Sequence, residues 1–312
     1  RRHTRYIGDW SSDVCSSDLT VLFDGLIYAS YLFIVSLGLT ITFGVMKILN
    51  VAHGGFFAWG AYLASISIIY LGDNEYNSHL YYFAIFLSAI IVGLFFGYII
   101  ERFILRKMYN EDIHLIVLAT FGLFWILEDL ILHVFGVDPL MPYYPAMELG
   151  GIEIAGIFQG VYSLTLAALA IIVAFICWYF LKKTKWGKLL QSVIFDREVS
   201  VSMGINVTNV YLITFIIGGM LGALGGAYIA PTISVSPGFA IDVVVMSFAV
   251  VVIGGMGSVP GALIGSLIVG LVRAFAVHQA PILELFIIYA IMAVVLILKP
   301  EGLFAPPKPR KI

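Results

Sequence analysis

Charge is what this sequence has least of. Of 312 residues only 12% are Asp, Glu, Lys or Arg, about half the share of a soluble domain, and 61% are hydrophobic. That balance argues against a soluble enzyme, and a formal net charge of −2 leaves no basic surface for nucleic acid. Cysteine is scarce too. Cys177 lies inside an apolar run and reads as a small packing residue, and Cys15 is the other one. Also missing are a phosphate loop (GxxxxGK followed by Ser or Thr), HExxH, CxxC and any paired Cys/His cluster. No motif for binding ATP or a metal can be read, and no catalytic residue is expected. The Gly-rich stretch Gly254–Gly261 lacks dinucleotide spacing and a βαβ setting; it reads as a helix break at Gly254, Gly255 and Gly257.

What the chain has is long apolar runs, near 21–46, 48–71, 80–100, 113–135, 161–181, 207–230, 241–257, 261–277 and 282–298. Most are long enough to cross roughly 30 Å of hydrocarbon as helices. The expected fold is an all-α, polytopic integral membrane bundle of about eight or nine transmembrane helices. The count falls by one if 48–60 only re-enters or if 241–277 is broken. Beyond residue 19, every Lys and Arg except Arg273 falls at Lys47, in 102–107, in 182–197 or after Leu298. Loops 72–79, 136–160 and 231–240 carry Asp73, Glu75, Asp138, Glu148 and Glu153 but no Lys or Arg. The positive-inside bias puts the basic group in the cytoplasm, which nine crossings satisfy with the N-terminus outside and the C-terminus inside.

The segment 1–19 is of another kind. It is polar, without the apolar core of a signal peptide. Arg1–Arg5 and Asp9–Leu19 match, in frame and in order, the translation of two constant parts of a short-read sequencing adapter, with Tyr6–Gly8 over its variable index. The expectation is that 1–19 is adapter-derived, that 20–305 forms one transmembrane domain, and that 306–312 is a cytoplasmic tail. The loop 182–206 is the longest basic one. Leu189, Val193, Ile194 and Val201 alternate with charge at helical spacing and Gly204 stops the pattern, which predicts a short amphipathic helix.

Ionisable or strongly polar groups at membrane depth are candidates for function. Asn50, His53, Gly54, Phe57 and Ala61 share a helix face. With Thr40 and Phe43 of the preceding span, Asn50, His53 and Gly54 make a candidate translocation path; the alternative is that Asn50 and His53 tie neighbouring helices together by hydrogen bonds. Glu128, Asp129 and His133 could form a proton relay or a structural group near the outer end of their span. Asp24, Asp242, Arg273 and Glu284 sit where charged side chains pair or reach the interface. Glycines spaced by four, at 218/222/226, 257/261/265 and 93/97, predict close helix contacts.

The run Gly38-Leu39-Thr40-Ile41-Thr42-Phe43-Gly44-Val45-Met46-Lys47-Ile48-Leu49-Asn50-Val51-Ala52-His53-Gly54-Gly55 resembles the opening signature of LivH-type permeases of branched-chain amino acid ABC transporters. Three later blocks agree in order: Asp196-Arg197-Glu198 with Met203-Gly204-Ile205-Asn206, Val252 to Ala262, and Lys299-Pro300-Glu301-Gly302-Leu303-Phe304. The resemblance implies a multi-pass permease subunit of an importer in the bacterial cytoplasmic membrane. It implies four further parts: a second homologous permease, two ATPase subunits that hold ATP and Mg, and an extracytoplasmic solute-binding protein. No cofactor is then expected on this chain. By the same resemblance Asp196, Arg197, Glu198, Gly204, Ile205 and Asn206 couple the permease to the ATPase. The substrates implied are branched-chain or other amino acids, amides or urea. A secondary carrier driven by an ion gradient is the alternative.

Overall fold

The computed structural model describes residues 7–154 and 156–304, with side chains from Asp18 onward. Residues 1–6 of the adapter-like segment and the tail 306–312 lie outside the described residues. In chain order the helices are α1 (Ile7–Met46), α2 (His53–Asp73), α3 (His79–Ile100), a π-helical turn (Glu101–Leu105), α4 (Arg106–Met108), α5 (Ile113–Phe135) and α6 (Tyr144–Leu149). A hairpin of β1 (Gly151–Ile154) and β2 (Ile157–Gly160) follows. Then come α7 (Val161–Lys183), α8 (Lys185–Phe195), α9 (Arg197–Ser202), α10 (Val207–Ile229), α11 (Ala240–Gly254), α12 (Val259–Gln279) and α13 (Glu284–Leu298).

Each apolar run of the sequence is a helix, and among the described residues eight helices are long and apolar enough to cross a membrane. The ninth run is α11. With 15 residues it rises about 22 Å, short of the ~30 Å hydrocarbon core. Its expected end at 257 moves back to Gly254, because Gly255 turns to a φ of 105° that a helix does not admit. The second span also starts later than the apolar run. Residues 47–52 are non-helical, Lys47 takes a φ of 56°, and Asn50, Ala52 and His53 are buried, so α2 begins inside the bundle. Within 182–206 one helix was expected and two are found. The β-hairpin is a local departure from an all-α chain. It turns through Gly156 at a φ of 82°, which glycine accepts without strain.

α10 is the hub, lying against α1, α2 and α3. Its glycine stripe makes this possible. A Cβ at Gly218 would meet Thr42 and the Gly38 carbonyl of α1, one at Gly222 would meet the His53 ring, and one at Gly226 would strike the Phe57 carbonyl of α2. Gly60 of α2 returns the contact against Ala223. Small residues let backbones approach where water supplies no driving force between helices. Gly226→Ala is therefore expected to cost about 3 kcal/mol of stability, since a carbonyl cannot move aside as a flexible side chain can. Gly122→Ala, where a Cβ meets nothing within 4 Å, is expected to be neutral. Thermal unfolding of the two purified variants checks this.

Candidate functional site

The segment between α7 and α10 is shaped by its polar residues. Thr184 caps α8, its hydroxyl accepting from the Gly187 N–H at 3.0 Å. Leu190 and Val193 face inward, and Trp186 and Phe195 are exposed. Asp196 breaks the helix with extended backbone and caps α9 as well, its Oδ1 accepting from the Val199 N–H at 3.0 Å. Glu198 sits in the first turn of α9, where the helix dipole favours a carboxylate. Gly204 stops α9 in the left-handed region at a φ of 82°, and the Ile205 N–H returns to the Ser200 carbonyl at 3.1 Å. Asn206 then caps α10 by accepting from the Asn209 N–H at 3.1 Å. Arg197 and Glu198 are exposed, alongside Val199, Val201 and Met203. An apolar surface of this kind beside two exposed charges suits a protein cleft better than water.

Behind α8 lies a groove of about 330 Å³ lined by Thr40, Ile41 and Gly44 of α1, Leu190 and Ile194 of α8, and the turn Gly257–Pro260. The turn is the predicted helix break. Gly255 and Gly257 both take positive φ, and Gly257 packs on Gly44. The C-terminal block docks onto the same place. Gly302, at a φ of 84°, lies on Gly255, and the N–H groups of Leu303 and Phe304 donate to the carbonyls of Ile253 and Gly254, both at 2.9 Å. Two motifs distant in sequence are thus one joint beside α8.

The sequence reading missed Glu101. Its carboxylate is fully buried and holds Arg106 through both oxygens, the closest contact being 2.9 Å. The Tyr109 hydroxyl donates to the same carboxylate at 2.6 Å. Burial, together with that bond, pushes the Tyr109 hydroxyl well above the ordinary tyrosine range. The Tyr109 ring meets Tyr211 edge-on at 5.0 Å, and the Arg197 guanidinium lies over the Tyr211 ring at 5.8 Å. A continuous line of contacts therefore runs from α9 through α10 to the π-helical turn at the end of α3.

The path candidates do not share one open face. Thr40 is buried, with no hydrogen-bond partner for its hydroxyl among the described residues, and borders the groove; Phe43 is half-buried nearby. His53 is enclosed between Gly38 and Gly222, with Nε2 2.9 Å from the Val35 carbonyl, so it ties α2 to α1 and α10. Gly54 accommodates Phe124 and Val244, and Asn50 is buried. The three relay candidates separate: Glu128 faces inward, while Asp129 and His133 are exposed on the far side of α5. Arg273 pairs with Glu284 at 2.6 Å and stacks on Tyr28 at 3.8 Å, and His278 reaches Asp24 at 3.1 Å. No cluster of His, Cys, Asp and Glu among the described residues is arranged to hold a metal ion.

Known permeases match this sequence along most of its length. The chain is 26% identical to the high-affinity branched-chain amino acid transport system permease protein BraD of Pseudomonas aeruginosa, over 94% of this chain and 98% of that one. It is 25% identical to the corresponding permease protein LivH of Escherichia coli K12, over 94% and 97%. Among solved structures it superposes on PsaBC from Streptococcus pneumoniae with a TM-score of 0.49, 15% identity and 91% coverage of both chains. The family model for the permease component of the branched-chain amino acid transport system matches residues 21–296. The chain belongs to that family, as a multi-pass membrane permease subunit.

Proposed function

We propose that this chain carries branched-chain amino acids across the bacterial inner membrane. The driving ATP hydrolysis takes place on separate subunits that grip the α8–α9 segment from the cytoplasm. The observation that carries the reading is the α8–α9 surface itself: two short helices, each capped by a side chain, with exposed Phe195, Val199, Val201 and Met203, connected through Arg197 and Tyr211 to the bundle. Closure of two ATPase subunits on ATP would push such a pair as a unit, and the groove behind α8 gives it room to move against α1 and the Gly254–Gly257 joint. The complete assembly is this chain, a second permease, two ATPases that hold ATP and Mg, and an extracytoplasmic binding protein that selects the solute. The chain has no enzymatic step of its own.

Reconstitution of these parts in proteoliposomes tests the reading. Leucine uptake is expected only with ATP on the ATPase side and the binding protein on the other. Leucine uptake by this chain alone, following a proton or sodium gradient, would overturn it in favour of a secondary carrier.

A further inference from the structure

One buried carboxylate has no cation beside it among the described residues. Glu128 of α5 is only 6% exposed. Its Oε2 accepts from the Gly238 N–H at 3.2 Å, and its Oε1 has no partner among the described residues. The Tyr62 hydroxyl of α2 is fully buried and equally without a partner among the described residues, and the Tyr62 ring meets Phe239, the chain neighbour of the Gly238 that donates to Glu128. Aromatic rings pack round Tyr62: Phe135 stacks on it at 5.3 Å, Phe239 stands edge-on at 6.4 Å, and Phe57 lies 5.3 Å from Phe239. Gly238 takes a φ of 85°, so one turn ahead of α11 supplies both an N–H for Glu128 and the ring of Phe239.

A carboxylate taken out of water without a partner is costly, and within a membrane such groups are kept on the routes of ions and substrates. The chemistry on offer selects the occupant. The free carboxylate oxygen accepts hydrogen bonds, the phenol oxygen accepts or donates, and the ring faces attract positive charge. A primary ammonium carries three N–H donors and a unit of positive charge and satisfies all of these together. A carboxylate would be repelled from the same place.

We propose that Glu128 and Tyr62 form a station for the α-ammonium group of the travelling amino acid, at the meeting of α2, α5 and the turn before α11. This rests on the reading of the chain as an amino acid permease. The station holds the ammonium beside the rings of Phe135 and Phe239 that pack on Tyr62. Its occupancy gives the unpartnered Oε1 of Glu128 a donor for the duration of the passage.

The test uses the full reconstituted complex with two readouts, uptake of labelled leucine and ATP hydrolysis stimulated by the loaded binding protein. Glu128→Gln is expected to lower uptake at least tenfold while stimulated hydrolysis stays within twofold of wild type, and Glu128→Asp to recover at least a third of the uptake. Tyr62→Phe removes no hydrogen bond that the structure shows, and is expected to lower uptake several-fold with the assembly intact. Uptake by Glu128→Gln within twofold of wild type overturns the station. If Glu128→Gln fails to assemble, Tyr62→Phe decides, and wild-type uptake by it overturns the station. A wild-type complex that moves no leucine sinks the functional reading beneath it, an outcome distinct from intact wild-type uptake with indifferent variants.

Discussion

Arg197→Glu and Gly204→Val are each expected to reduce ATP-driven uptake at least tenfold, with the protein reaching the membrane in normal amount. Neither site holds much folding energy. The Arg197 guanidinium is exposed and meets Tyr211 at 5.8 Å, an arrangement worth about 0.5–1 kcal/mol. On the proposed docking, a charge-assisted bond from Arg197 to an ATPase carboxylate would contribute about 1.5–3 kcal/mol, and a glutamate there would turn attraction into repulsion. At Gly204 space is not the obstacle, because nothing lies within 4 Å of the place a Cβ would occupy. The obstacle is the φ of 82°, which costs a β-branched residue about 1–2 kcal/mol and would loosen the end of α9. Gly204→Asn, which tolerates the left-handed region, is expected to retain most activity. Uptake and co-purification of the ATPase, measured together, separate lost docking from lost transmission. Wild-type uptake in both Arg197→Glu and Gly204→Val would remove this segment from the coupling route.

Glu101→Leu is expected to have the second large effect, a loss of about 3 kcal/mol of stability. The substitution strips a buried acceptor from both Arg106 and Tyr109. Breaking a buried pair from one side costs about 3–5 kcal/mol, and Arg106 is 23% exposed, so water recovers part of the loss. Replacing both partners, Glu101→Leu with Arg106→Met, is expected to restore most of the stability, because no uncompensated charge then remains. Thermal unfolding of the single and double variants measures the difference. A double variant as unstable as the single one would mean that Glu101 acts through something other than Arg106.

Why Glu101 escaped the sequence reading follows from its geometry. At 100° per residue, Glu101 and Arg106 lie about 140° apart round an α-helix and do not face each other. The π-helical turn Glu101–Leu105 widens the coil and brings them together, and no spacing rule for α-helices reveals it. The apolar runs were legible because each crossing must hide its own backbone, so length and hydropathy alone mark α5 at 113–135 and α7 from 161. The Gly218/222/226 stripe was legible for the same reason of close approach. The break inside 182–206 had a signal that periodicity overrode: Asp196 three residues before Val199 is an N-cap pattern. That His53 ties helices together was one of the two readings open from the sequence; which helices it joins was not legible, since that depends on Gly38 and Gly222 from two other helices.

The C-terminal block has a bearing on the order in which the bundle is made. α11 is too short to bring its last carbonyls to the water, and those of Ile253 and Gly254 find their donors in Leu303 and Phe304. These donors are among the last residues of the described chain to leave the ribosome. Until they arrive, α11 carries orphan carbonyls at the edge of the hydrocarbon, each costly to leave unpaired. A chain cut short before Leu303 leaves the Ile253 and Gly254 carbonyls without these donors, and is expected to pack α11 less firmly than the full chain.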